Sequence, residues 1–164
     1  MIVIADTSPL NYLVRLGRPE ILADLFGRVI IPGAVLAELS HPEAPTEVRA
    51  FAFSPPPWIE VVRAETIDAT LPDTLGAGER EAISLALALR ADILLIDERA
   101  RRDAATARDV GVAGAVAVLL QAALSGWLDL RDAIGRRRGM GFRLSDDVER
   151  AALARLEEAN RSAN

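Results

Sequence analysis

Ile2-Val3-Ile4-Ala5-Asp6-Thr7-Ser8-Pro9-Leu10 opens the chain with a short apolar, partly β-branched run that stops at a carboxylate. A continuous apolar run of this length reads as a strand buried on both faces, as in parallel sheets. Ser8 followed by Pro9 predicts an N-cap and a first helical residue, so a helix is expected from Pro9 to about Leu16, stopping at Gly17. The pattern then repeats. Strands are expected at Arg28 to Ile31, Trp58 to Val62, Ile93 to Ile96 and from Val112, and helical stretches lie between them. Those helices are expected at Pro19 to Phe26, from Pro32 through Leu39, and over Glu43 to Phe53, Glu79 to Arg90 and Arg99 to Asp109. Pro55-Pro56-Pro57 is a stiff break, and Arg63 to Gly78 reads as loop. Beyond Val112, helices are expected at Ala115 to Ser125 and Leu130 to Arg137, and Ser145 caps a last one with Asp146 and Asp147 in its first turn.

Short apolar strands alternating with helices imply βαβ units and a parallel sheet. The expected fold is therefore α/β: a three-layer α/β/α sandwich with a mainly parallel central sheet. One domain over residues 1–164 is expected, with the C-terminal helix, about 146–160, as an appended element. In such folds the site lies beyond the carboxyl ends of the strands. That rule points to Asp6 and Asp97.

Composition narrows the chemistry. The chain has 164 residues, 51 % hydrophobic and 26 % charged, with a net charge of −5, which excludes a disordered tail protein. It has no cysteine and one histidine, His41, so thiolate zinc sites, cysteine nucleophiles and multi-histidine metal sites are excluded. All 19 basic residues are arginine. Carboxylates, hydroxyls, arginine and a hard metal ion remain. The N-terminus lacks the basic region of a signal peptide, and the longest apolar stretch, Val112 to Leu124, is shorter than the roughly 20 residues of a spanning helix. A cytoplasmic protein with no membrane segment is expected.

Four places combine a carboxylate with an apolar setting: Asp6, Glu38 within Val35-Leu36-Ala37-Glu38-Leu39, Glu79 with Glu81 beside it, and Asp97 with Glu98. Each has a structural alternative, as a helix cap, a solvated helix residue or a partner for a helix dipole. Together they say more. Convergent carboxylates repel unless a cation is bound, and neither strand-end aspartate has a basic partner visible beside it. Oxygen-only ligation favours Mg²⁺ or Mn²⁺. A receiver domain and a haloacid-dehalogenase-like phosphatase both need a lysine that this chain lacks. A glycosidase, needing only two carboxylates, stays open. Metal-assisted phosphodiester hydrolysis fits best.

Asp6-Thr7-Ser8-Pro9-Leu10 resembles the opening of PIN-domain nucleases. Val35-Leu36-Ala37-Glu38-Leu39 resembles their second acidic motif, and Gly78-Glu79-Arg80-Glu81-Ala82-Ile83 and Leu94-Leu95-Ile96-Asp97-Glu98-Arg99 resemble the third and fourth. The last two, with Gly111-Val112, Gly126-Trp127-Leu128 and Gly141-Phe142-Arg143-Leu144-Ser145, resemble a bacterial and archaeal branch known mainly as a domain of unknown function. That branch is related to VapC-type toxins.

The resemblance implies a metal-dependent endoribonuclease, the toxin of a toxin–antitoxin pair, leaving a 5′-phosphate and a 3′-hydroxyl. Asp6 would be the central metal ligand, with Glu38, Glu79 and Asp97 completing the pocket around Mg²⁺ or Mn²⁺. Ser8 would orient Asp6 or a metal-held water. Glu81 and Glu98 are the alternates for the third and fourth acids. A homodimer and a small antitoxin protein that covers the pocket are the implied partners, besides RNA. Arg99 and Arg102, close to the Asp97 strand end, are the candidate RNA contacts, because arginine's fork suits phosphate. Arg136-Arg137-Arg138 forms a second basic cluster. The competing class is a non-catalytic metal-binding or interaction module on the same fold.

Overall fold

The computed structural model describes residues 1–142 and 144–163; the Arg143 position of the Gly141-to-Ser145 motif lies outside them. The chain forms two compact units, Met1–Gly114 and Ala115–Asn164.

In the first unit the strands are β1 (Val3–Ala5), β2 (Val29–Pro32), β3 (Ile59–Val62), β4 (Ile93–Leu95) and β5 (Val112–Ala113). They form one parallel sheet in the order β3-β2-β1-β4-β5. The helices between them are α1 (Thr7–Arg15), α2 (Ile21–Phe26), α3 (Gly33–Leu39), α4 (Thr46–Phe53), α5 (Ala77–Leu89) and α6 (Arg99–Thr106). This is the expected α/β/α architecture. Ile4 of β1, Leu94 of β4 and Ile96 just past it are fully buried, against Ile83, Leu85 and Ala86 of α5 and Ala104, Ala105 and Val110 beyond β4. Each large side chain so buried contributes about 1.5–3 kcal/mol. That is why these strands read as unbroken apolar runs.

Local boundaries differ where capping differs from its sequence signal. The helix after β1 starts at Thr7, two residues before Pro9, with Asp6 in extended conformation at the N-cap. Pro9 is tolerated there because the first-turn amides have no intrahelical partner. The helix after His41 starts at Thr46, since Pro45 takes the N-cap. The loop expected over Arg63 to Gly78 runs from Arg63 to Gly76, because α5 begins at Ala77, and polar contacts pin it to the body. Asp68 accepts from Thr70 and, at 2.7 Å, from Arg108 Nε, while its own N–H donates to Ser84 Oγ at 2.9 Å. Arg80 Nη1 donates to the carbonyls of Leu71 and Pro72.

The second unit holds α7 (Ala115–Leu124), α8 (Leu130–Gly139) and α9 (Asp146–Ser162), with α7 packed on both other helices. Ser145 Oγ caps α9, accepting from Val148 N. The Arg136-Arg137-Arg138 run forms the last turn of α8 and is not an open basic patch. Arg137 is 3 % exposed with its guanidinium 5.2 Å from the Phe142 ring, and Arg138 pairs with Asp146 and Glu149. Among the described residues no helix is long and apolar enough to cross a membrane.

Candidate active site

In the order β3-β2-β1-β4-β5 the chain leaves β1 toward β2 on one side, while β4 pairs on the other. The carboxyl ends of β1 and β4 therefore flank a topological switch point, where open α/β sheets keep their sites. The Ala5–Leu95 register and the Asp6 N–H to Leu95 carbonyl bond, 2.9 Å, bring the Asp6 and Asp97 segments side by side.

Asp6 is 1 % exposed, and its Oδ1 is buried with no hydrogen-bond partner among the described residues. Burial pushes its pKa up to about 7; the Thr7 backbone N–H opposes this, Glu79 and Glu38 add to it, and Arg101 opposes it. Glu38 and Glu79 thus both act on Asp6 electrostatically although the three come from separate elements.

Glu38, on α3, accepts from the Gly78 N–H at 2.9 Å and from the Thr7 hydroxyl. Glu79, in the first turn of α5, accepts from the Gly76 N–H at 2.6 Å, as the N3 residue of a capping box does. Its other oxygen lies 3.0 Å from Arg101 Nε. Arg101 also reaches Glu98 at 2.9 Å, so one arginine, a helical turn beyond Asp97, pairs with both acids. Asp97 has a buried Oδ2, and a Cβ on Gly114 would lie 3.1 Å from its Oδ1 and 3.8 Å from Arg102 Nη1. Arg102 therefore faces the Asp97 side of the cluster. Arg99 is exposed, 4.0 Å from Asp103.

Glu81 sits apart from this cluster in its bonding. It is buried, and its two oxygens accept from Ala34 N at 2.6 Å and Ala64 N at 3.0 Å. It ties the start of α3 and the segment just past β3 to α5, which occupies it structurally. In this cluster the hydroxyl that reaches a carboxylate is that of Thr7, on Glu38; among the described residues no Ser8 bond to Asp6 is present. Thr7, Gly78 and Arg101 were not singled out as individual site residues by sequence reasoning. Gly78 had a signal, as the glycine directly before Glu79; the other two were hidden by spacing.

A family model described as a PIN domain matches residues 2–158. The chain belongs to the PIN-domain family. A solved PilT N-terminus domain protein from the hyperthermophilic archaeon Sulfolobus solfataricus P2 is similar to this PIN domain, at 16 % identity and a TM-score of 0.56. The match covers 74 % of this chain and 92 % of that one, and at that identity it bears on fold alone. No curated protein matches the chain.

PIN domains are commonly nucleases and typically use divalent metal ions. The residues present suit such an ion in kind: oxygen donors only, with an orphaned, buried oxygen on Asp6 at their centre. Their present bonding holds them apart. Among the described residues no three Asp, Glu or His side chains are grouped closely enough to hold a metal ion as they stand. Glu38 and Glu79 are turned to Thr7, Gly78, Gly76 and Arg101 instead.

Proposed function

We propose that this PIN domain is a metal-dependent endoribonuclease whose reaction centre is the Asp6 cluster. The observation that carries the reading is the buried Asp6 carboxylate, with an orphaned oxygen and two further acids acting on it, at the switch point of the sheet. Burying such a group is costly unless a cation compensates it. Asp6 with Asp97, Glu38 and Glu79 would hold Mg²⁺ or Mn²⁺. A divalent ion supplies activation of a water and neutralisation of the scissile phosphate. The chain's own residues do the rest. The Thr7 hydroxyl and the Gly78 amide fix the Glu38 carboxylate, and the Gly76 amide fixes Glu79. Arg102, on the Asp97 side, and Arg99, exposed on α6, would meet RNA phosphates through their forked guanidinium groups.

Its assignment as the toxin of a toxin–antitoxin pair, a homodimer silenced by a small antitoxin, rests on the resemblance of its motifs to that branch. One experiment tests both levels: inducible expression of wild type and Asp6→Asn, with growth and RNA 5′ ends followed, beside cleavage by the purified proteins with Mg²⁺, Mn²⁺ or EDTA. Growth arrest and new 5′ ends with wild type alone support the toxin. Cleavage without arrest supports a nuclease in another role. Equal cleavage by Asp6→Asn and wild type refutes the site, and binding of Mn²⁺ without cleavage of any RNA supports the non-catalytic module.

A further inference from the structure

Arg101 joins two acidic residues from different elements: Nε lies 3.0 Å from Glu79 at the start of α5, and Nη2 lies 2.9 Å from Glu98 at the start of α6. The side chain of Glu79 is 13 % exposed and that of Arg101 29 %, so this pair is largely shielded from water, unlike the outlying Arg99–Asp103 contact. The guanidinium also opposes the upward shift of the Asp6 pKa, so its field reaches the centre of the cluster. An arginine stays charged at any working pH, so this positive charge is permanent. A divalent cation drawing on Glu79 would compete with it directly.

We propose that Arg101 is the resident counter-ion of the acidic cluster, and that cation binding displaces its guanidinium from Glu79. This rests on the metal-dependent reading above. Arg101 is a positioning residue in this account: it holds Glu79 against the Gly76 cap while the cluster lacks a cation, and it lowers the cluster's affinity for one. The Glu98 contact gives the guanidinium a place to stay after it leaves Glu79. The other charges facing the cluster are Glu38 from α3, Asp6, Asp97, and Arg102 on the Asp97 side.

The test is Mn²⁺ titration by calorimetry, without RNA, of the full chain as wild type, Arg101→Gln, Arg101→Lys and Asp6→Asn, with melting curves with and without Mn²⁺. Removing one positive charge from beside the acids is expected to tighten Mn²⁺ binding roughly tenfold in Arg101→Gln. Arg101→Lys, which keeps the charge, stays near wild type, and Asp6→Asn binds far more weakly than any of them. Cation-free Arg101→Gln melts below wild type and gains more from saturating Mn²⁺. If Arg101→Gln does not fold, Arg101→Met supplies the same neutral comparison. Equal or weaker Mn²⁺ binding by the neutral variant overturns the proposal while leaving the cation site intact. Absence of Mn²⁺ binding to wild type and variants alike overturns both this proposal and the reading beneath it.

Discussion

The Glu38 carboxylate lies so close to the Gly78 backbone that a Cβ on Gly78 would sit 2.7 Å from each of its oxygens. A methyl group there must push the carboxylate away, and the 2.9 Å bond from the Gly78 N–H goes with it. The moving group is the end of a flexible side chain, so the fold yields cheaply. Gly78→Ala is therefore expected to change stability by less than about 1 kcal/mol, because alanine favours the helix as the contact is lost. Divalent-dependent RNA cleavage should fall by at least about tenfold. Chemical denaturation and a cleavage assay on the same preparation check this, and full activity would separate Glu38 from the reaction.

Glu81 makes the opposite separation. Truncation to alanine strands the partly buried amides of Ala34 and Ala64, at an expected cost of about 1–3 kcal/mol. Cleavage per folded molecule should be unchanged at a temperature where the variant is native. A denaturant curve and an active-fraction measurement decide it, and loss of chemistry without loss of stability would move Glu81 into the site.

Asp6 predicts how the metal-free protein responds to pH. Its pKa is about 7 when folded against 3.8 in the free side chain, so between those values the folded state holds the proton more tightly. The stabilisation from the bound proton is fully present below about pH 4 and lost as pH rises through about 7. Its ceiling is about 4 kcal/mol. In EDTA, wild type should melt higher at pH 5.5 than at pH 8, and Asp6→Asn should flatten that difference. A wild-type melting point that does not fall between those two values contradicts the buried-acid assignment.

Asp68 runs the other way. The hydroxyl and N–H of Thr70 and the Arg108 guanidinium hold its pKa down to about 2. Its contribution is present above the ordinary carboxylate value and fades as pH falls through about 2. Asp68→Asn should therefore lose stability at neutral pH and show a smaller further loss between pH 4 and pH 2 than wild type. The loop from Arg63 to Gly76 should become the first segment cut by protease. An unchanged proteolysis pattern would show that this network does not hold the loop.

The strands were legible because the central ones are buried on both faces, which forces runs such as Val3–Ala5 and Leu94–Ile96 to be apolar throughout. Asp6 and Asp97 stood out for the same reason, as carboxylates at the abrupt ends of those runs. Helix starts were less legible. Ser8-Pro9 carries a capping signal, yet the helix begins at Thr7 because the extended Asp6 backbone already supplies the N-cap.

What the sequence determined by itself was the set of elements and the chemical vocabulary: parallel-sheet strands, carboxylates at their ends, no thiol and no lysine. These follow from local periodicity and composition, which need no partner. Tertiary structure decided how the acids are used. Glu79 and Glu81 are two residues apart on one helix, yet one is paired with Arg101 and the other is bound to the amides of Ala34 and Ala64. Thr7 and Gly78, from either side of Glu38 in the chain, meet on its carboxylate. Hydrogen bonds and ion pairs act over about 3 Å. Only the strand order that closes those distances could assign the partners.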